Sequence, residues 1–165
     1  MQRNPIKFRQ YLFEPNGILG YLITIVTGCK YSHSAVGILY DDGSEDIYDA
    51  SEKRGDFARE DDLDYLFKGF CKPTRKYVYY DFEGDATPVI ESLEGKKYDW
   101  KGVFGWLFKS QDKSKFYCFE VNWLALEFFT KGSLDNVEYP DFLSGCTVEE
   151  RCIQLNAEPT SSEFL

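Results

Sequence analysis

The clearest hydrophobic pattern in the chain lies over residues 115–130, KFYCFEVNWLALEFFT. Apolar side chains recur there every three or four positions, at Val121, Leu124, Ala125 and Phe128. Further aromatic residues fill the flanks, and Gly132 stands where a helix C-cap usually lies. The pattern therefore predicts an almost wholly buried helix.

A short strand and an apolar helix are predicted at the start of the chain. Ile6–Phe13 mixes β-forming residues with charges and is typical of a strand. The apolar stretch that follows, Ile18–Thr27, ends at Gly28. It is well short of the ~20 residues that a membrane span needs, so we expect a helix of the core. Residues 1–5 lack the apolar run of a secretory signal.

A β-hairpin is predicted next, and it contains the single histidine of the chain, His33. Tyr31–Tyr40 and Asp46–Ala50 are the expected strands, joined at the Asp-Gly pair at 42–43, which is a strong hairpin signal.

The position of the turn decides whether His33 can meet Asp49. A turn at residues 42–44 pairs Gly37 with Asp49, and the side chains of His33 and Asp49 then point to the same face. A flat ladder still leaves Asp49 four residues along from His33, which is too far for contact. Contact therefore requires strong twist, a bulge or a different register.

The second half of the sequence predicts shorter helices and strands. We expect residues 1–156 to form a single domain. A charged loop from Ser51 should lead to a short helix over Asp62–Phe67, and Gly95 should end a helix over Thr87–Leu93. We also expect a strand at Tyr77–Phe82, a long connection over Lys96–Ser114, a short helix with Thr147 as its N-cap, and a frayed end over 157–165.

Composition narrows the classes of partner. Aromatic residues make up 18% of the 165 residues, which favours a well-packed interior over disorder. A formal charge of −9 argues against non-specific binding to nucleic acid or to an anionic membrane, because both need patches of Lys and Arg. The five cysteines are odd in number and include no Cys-x-x-Cys pair, so we expect free thiols and a cytoplasmic protein.

Cys118 and His33 are the candidates for chemistry. Cys118 falls in the first turn of the predicted buried helix, where the helix dipole and unpaired backbone N–H groups favour a thiolate. The alternative is a cysteine that only packs, since cysteine is often buried as a small hydrophobe. His33 is the only imidazole available as a base, and a single histidine excludes a multi-histidine metal site. Neither a metal nor a cofactor is expected.

Four segments in order resemble a circularly permuted NlpC-type papain-like cysteine hydrolase. They are residues 27–38, TGCKYSHSAVGI; 47–50, IYDA; 95–100, GKKYDW; and 116–121, FYCFEV. In that family the histidine strand precedes the cysteine helix, and the resemblance covers residues 6–130. It implies an α+β fold with a central antiparallel sheet packed against the helix that carries Cys118.

The resemblance also assigns roles to residues. Cys118 corresponds to the nucleophile, His33 to the general base and Asp49 to the polar residue that orients the base. Tyr98 corresponds to a tyrosine whose hydroxyl helps bind the oxyanion, although a plain core aromatic fits it as well. The implied reaction is acyl transfer from a peptide, amide or acyl substrate through a thioester.

Phe119 departs from the family, in which a small residue usually follows the cysteine. The departure indicates either a reshaped pocket or a catalytically inactive binding module on the same fold, and an acyltransferase is a third alternative. The acidic run at residues 60–64, EDDLD, would suit a cationic substrate but is more often a solvated face.

Overall fold

The structure is a computed structural model that describes residues 3–51, 55–68, 74–97, 117–135 and 137–161. Within these ranges the chain forms six strands and five helices. The strands are β1 (Pro5–Phe13), β2 (His33–Tyr40), β3 (Glu45–Ser51), β4 (Asp56–Arg59), β5 (Tyr77–Glu83) and β6 (Thr160–Ser161). The helices are α1 (Gly17–Thr27), α2 (Leu63–Phe67), α3 (Thr87–Leu93), α4 (Cys118–Lys131) and α5 (Gly145–Gln154).

All six strands belong to one antiparallel sheet in the order β4-β3-β2-β1-β5-β6. β1 pairs along its length with β2 on one side and β5 on the other, so the first strand of the chain lies near the middle of the sheet. The expected α+β class with a central antiparallel sheet is confirmed. β4 was not expected, because Gly55 and the charges around it are typical of a loop.

The main core lies between the sheet and helices α3, α4 and α5. Phe8, Leu12, Val36, Ile38 and Phe82 contribute side chains from the sheet to this core. α4 buries most of its residues up to Glu127, as its apolar pattern predicts, and ends at Gly132, whose φ is 68°. A left-handed C-cap of this kind favours glycine, because glycine has no Cβ to clash with the backbone at positive φ.

α1 is a helix, as predicted, but it is not a helix of the core. It contacts the body of the protein through Gly20, where an added Cβ would lie 3.1 Å from Ser32 Oγ and 3.2 Å from Pro15 Cα. Large apolar side chains are exposed along the rest of the helix, at Ile18, Tyr21, Leu22, Ile25 and Val26. The close backbone contact at Gly20 buries only a narrow stripe, which an apolar sequence alone does not reveal. No helix within the described residues is long and apolar enough to cross a membrane.

α5 begins earlier than its sequence suggests. Ser144 is the N-cap and accepts a hydrogen bond from Thr147 N, while Thr147 occupies the third helical position of a capping box. Thr147 is therefore not the N-cap, and the helix is one turn longer at its start. At the end of the chain, Thr160–Ser161 pairs with Val78 and Tyr79 of β5, so the segment predicted to fray adds a short edge strand.

A disulfide joins Cys29 and Cys146, which lie 117 positions apart in sequence, with a Cα–Cα distance of 5.6 Å. The expectation of free thiols is therefore wrong for this pair. An odd cysteine count does not exclude one bridge, and the fold alone brings these two positions together. Cys118 and Cys152 are free and buried, and Cys71 lies outside the described residues.

We predict that Cys29→Ser, Cys146→Ser and the double variant each lower the free energy of unfolding by about 2–5 kcal/mol, because the unfolded chain loses a long cross-link. Urea unfolding without reductant measures this. The double variant should be no less stable than the weaker single variant, and wild-type stability in all three would contradict the bridge.

Candidate active site

Cys118 is the first residue of α4. Tyr117 precedes it as the N-cap with extended backbone, and its N–H donates to Glu120 Oε2 at 3.1 Å. This bond fixes the first turn, in which Cys118 lies at the positive end of the helix dipole. The structure thus places the cysteine at the helix start that its sequence predicts.

His33 is the first residue of β2, and it contacts both of the other predicted site residues. Its Nε2–H donates to Asp49 Oδ2 at 3.0 Å, and the Asp49 side chain is fully buried. Its ring also lies close enough to the Cys118 sulfur for the two groups to interact electrostatically. Cys118, His33 and Asp49 therefore come together in one site.

A different register explains how Asp49 reaches His33. β2 and β3 pair Gly37 with Ile47, not with Asp49, a shift of two residues from the expected alignment. Continued along both strands, this register places Asp49 opposite Ala35, two residues from His33. A shift of two leaves the faces unchanged, so both side chains still share a face and now lie within diagonal reach.

The electrostatics of the site favour a protonated His33. Burial alone lowers the pKa of His33 because it disfavours the charged ring. Negative charge on the Cys118 sulfur and the Asp49 carboxylate opposes this more strongly, so the pKa of His33 is raised to about 9. At pH 7 the ring therefore carries its second proton and lies between the Cys118 sulfur and the Asp49 carboxylate.

β2 and β3 separate next to the site. Their pairing runs from Leu39–Glu45 to Val36–Tyr48, after which β2 stays paired with β1 and β3 with β4. Asn122 of α4 lies beside this separation, and its Nδ2 donates to Ala35 O at 3.1 Å and to Gln10 Oε1. The turn of α4 that follows Cys118 is thereby tied to the strand that begins at His33.

Phe119 packs in the core and not toward the site. Its ring makes an edge contact with Tyr117 and lies where a Cβ on Gly145 would be 3.0 Å from its Cε1. The ring is 4% exposed. The larger residue after the cysteine therefore does not fill a substrate pocket within the described residues.

A cleft opens beside His33. Its lining comes from α1, α2 and the segments before β2 and β5, and it consists of Asn16, Leu19, Gly20, Ile23, Ser32, His33, Tyr65 and Arg75. Sequence reasoning missed Asn16, Tyr65 and Arg75, which no motif marks because only the tertiary fold collects them, and it gave no role to Ser32 beside His33. The equally unmarked Asn122 and Gln10 form the buried amide pair behind the site.

The acidic run at residues 60–64 has mainly structural partners. Glu60 Oε1 accepts from Asp62 N, Asp62 caps α2 by accepting from Tyr65 N, and Asp64 pairs with Lys68. These contacts favour a structural role over a binding site for a cationic substrate, and residues 61–64 are exposed as expected whereas Glu60 is buried.

Tyr98, the predicted oxyanion residue, lies outside the described residues. The described part of the chain contains no cluster of three or more His, Cys, Asp or Glu side chains that could bind a metal ion. Comparison of the chain with protein-family models and with curated proteins finds no match.

We predict that Cys118→Ala lowers the pKa of His33, because the negative sulfur that opposes burial is removed. His33 is the only histidine, so its ring signals in an NMR titration report this pKa without assignment ambiguity. Wild type should titrate near pH 9. Cys152→Ala, which removes another buried thiol, is the matched control and should leave the His33 pKa unchanged. An unchanged pKa in Cys118→Ala would show that the two side chains are not coupled.

Proposed function

We propose that this protein is a cysteine hydrolase of the amidase or peptidase type that acts through a thioester on Cys118. One observation carries the proposal: a single imidazole contacts both a thiol at a helix start and a buried carboxylate. Nucleophile, base and orienting group in hydrogen-bond reach are the geometric signature of an activated cysteine.

The chain order supports a circularly permuted papain-like fold of the NlpC type as part of this proposal. The histidine strand β2 precedes the cysteine helix α4 in sequence, and α4 packs on an antiparallel sheet. The resemblance of the four segments predicts the same order. The fold and the catalytic residues thus belong to one proposal.

In the acylation step, the Cys118 thiolate attacks the carbonyl carbon of an amide or ester. A tetrahedral oxyanion forms, and the backbone N–H of Cys118 at the helix start is suited to stabilise it. When the intermediate collapses, the carbon–nitrogen or carbon–oxygen bond breaks and the His33 imidazolium donates its proton to the leaving group. Asp49 holds Nε2 throughout, which leaves Nδ1 as the nitrogen that exchanges the proton.

In the second step, water attacks the thioester. Neutral His33 accepts a proton from the water through Nδ1, a second tetrahedral intermediate forms, and the Cys118 thiolate leaves. The acid product departs and the imidazolium is restored. An acyltransferase would share the first step and would differ only in the nucleophile that replaces water.

A catalytically inactive binding module is the contrasting proposal, and thiol reactivity separates it from a hydrolase. Phe119, the departure that suggested it, packs in the core and so gives it no support. A binding module would have no need for a buried carboxylate fixed on the imidazole beside the thiol.

We predict that iodoacetamide at neutral pH labels Cys118 before any other cysteine. Cys152, the other free cysteine in the described residues, is buried beside Glu149, and both effects raise the pKa of its thiol, which slows its alkylation. Peptide mapping by mass spectrometry gives the rate at each position. Equal labelling of Cys118 and Cys152 would contradict the proposed function.

We predict that Cys118→Ala abolishes turnover and that His33→Ala lowers it about 10²-fold or more, without loss of the fold. Circular dichroism checks the fold, and His33→Ala should also slow alkylation of Cys118. Full activity in either variant would remove that residue from the mechanism.

A further inference from the structure

We infer that the Cys29–Cys146 disulfide is a redox-sensitive site, and that its reduction by a dithiol releases α1 and exposes His33 in the cleft. The inference rests on the proposed function only for what the open cleft would admit, and the opening itself can be measured without it. Three observations carry it: the attachment of residues 14–32, the small burial of α1, and the surroundings of the two sulfurs.

Residues 14–32, the α1 segment, leave the sheet and return to it at one point. β1 ends at Phe13, which pairs with His33 at the start of β2. The N–H of Ser32 also donates to Phe13 O at 2.9 Å. The sheet therefore fixes both ends of the α1 segment, and the segment can move without separating β1 from β2.

α1 has little burial to hold it in place. Among residues 17–27, which the structure describes in full, Gly20 is the one buried residue. Leu19 and Ile23 beside it line the cleft, and the apolar residues of the outer face are exposed. An element with few buried apolar contacts belongs to the least stable part of a fold. The position of α1 therefore depends on the attachments at its ends.

The disulfide attaches the end of the α1 segment to α5. Cys29 follows the last residue of α1 by two positions, and Cys146 is the second residue of α5. Tyr31 OH donates to Glu149 Oε1 on the same helix. A Cβ at Gly145 would lie 2.6 Å from Tyr31 Cβ, so the segment already packs closely on α5. Two thiols cannot stay at bonding distance, and their separation should therefore displace the segment away from α5.

Both sulfurs have surroundings that stabilise the thiolates formed on reduction. Cys29 Sγ accepts from the N–H of Tyr31 at 3.5 Å. Cys146 lies in the first turn of α5, where the helix dipole and unpaired backbone N–H groups favour a thiolate. A stabilised thiolate leaves faster in thiol–disulfide exchange, and stabilising the reduced form makes a bridge easier to reduce. These are the features of a regulatory bridge.

The reductant is a dithiol, and the half-buried Cys146 is the sulfur that it can reach, since Cys29 is only 3% exposed. One thiolate of the dithiol attacks Cys146 Sγ, the bond to Cys29 breaks, and Cys29 leaves as a thiolate that takes up a proton. The second thiolate of the dithiol attacks the sulfur bound to Cys146, which leaves in turn. The protein gains two electrons and the two protons that the dithiol loses, and the dithiol becomes a disulfide.

Reduction of the folded protein by dithiothreitol tests the first part of the inference. Free thiols are trapped with N-ethylmaleimide and mapped by mass spectrometry, and circular dichroism follows the fold. Cys29 and Cys146 should become labelled together while the protein stays folded. A bridge that stays closed until urea is added, or a loss of the whole fold on reduction, would overturn the inference.

Chymotrypsin tests the release of α1. Tyr21 is exposed on α1, and Phe129 is an exposed aromatic residue on α4, which carries neither cysteine of the bridge. Reduction should raise the rate of cleavage after Tyr21 at least about tenfold, because a local opening is cleaved in proportion to its population. Cleavage after Phe129 should keep its rate. An unchanged rate after Tyr21, or an equal rise at both positions, would overturn the inference.

The variant with both Cys29→Ser and Cys146→Ser should show the fast cleavage after Tyr21 with and without reductant, and a slow rate in the folded variant would overturn the inference. Cys152→Ala removes a free thiol of the same helix and should respond to reductant as wild type does. If the double variant does not fold, reoxidation of reduced wild type takes its place. The slow cleavage should return when the bridge forms again, and a rate that stays high would contradict a switch.

Access to His33 separates this inference from the proposed function. A neutral gadolinium chelate broadens the NMR signals of groups that it approaches, and the His33 ring signals belong to the only histidine. Reduction should increase their broadening. If Cys118 resists iodoacetamide yet the broadening rises on reduction, the redox-sensitive cleft stands and the hydrolase does not. If Cys118 is labelled first but reduction changes neither the broadening nor the cleavage of α1, the hydrolase stands and this inference is refuted.

Discussion

The separation of β2 from β3 beyond the Val36–Tyr48 pair is the constraint on which the site depends. Ala35 lies just beyond that pair and stays paired with Tyr11 of β1, and its carbonyl oxygen also accepts from Asn122 of α4. Each such bond contributes only about 1 kcal/mol net, but a buried amide left unpaired costs about 1–3 kcal/mol. The Asn122–Gln10 pair therefore adds little stability. Its main effect is on position, because moving α4 relative to His33 would leave these buried amides unpaired.

The residues of the candidate site could be predicted from sequence more surely than their mutual distance. The helical spacing of the apolar residues placed Cys118 at a helix start, and the hairpin pattern placed His33 on a strand. Their roles as nucleophile and base rested on the resemblance of the four segments. Whether Asp49 touches His33 depends on a register shift of two residues, and the Asp-Gly turn signal admits both alignments. Two-residue periodicity preserves the face under such a shift, which is why the face was predictable and the contact was not.

The features that the sequence did not reveal are those decided by distant packing. α1 is apolar throughout, yet its burial depends on a close contact at Gly20, so hydrophobicity alone wrongly indicated a core helix. The Cys29–Cys146 bridge joins positions 117 residues apart, beyond the range of any spacing rule. Arg75 follows no motif, and only the positions of β1, Ser32 and α1 make it part of a cleft.

Gly145 explains how the chain tolerates Phe119 after the proposed nucleophile. A Cβ at Gly145 would lie 2.6 Å from Tyr31 Cβ and 3.0 Å from Phe119 Cε1, so the start of α5 touches both the segment leading to His33 and the start of α4. The disulfide at Cys146 and the bond from Tyr31 OH to Glu149 hold the same segment on α5. The Phe119 ring is thus accommodated against a glycine, and Gly145 packs between it and Tyr31.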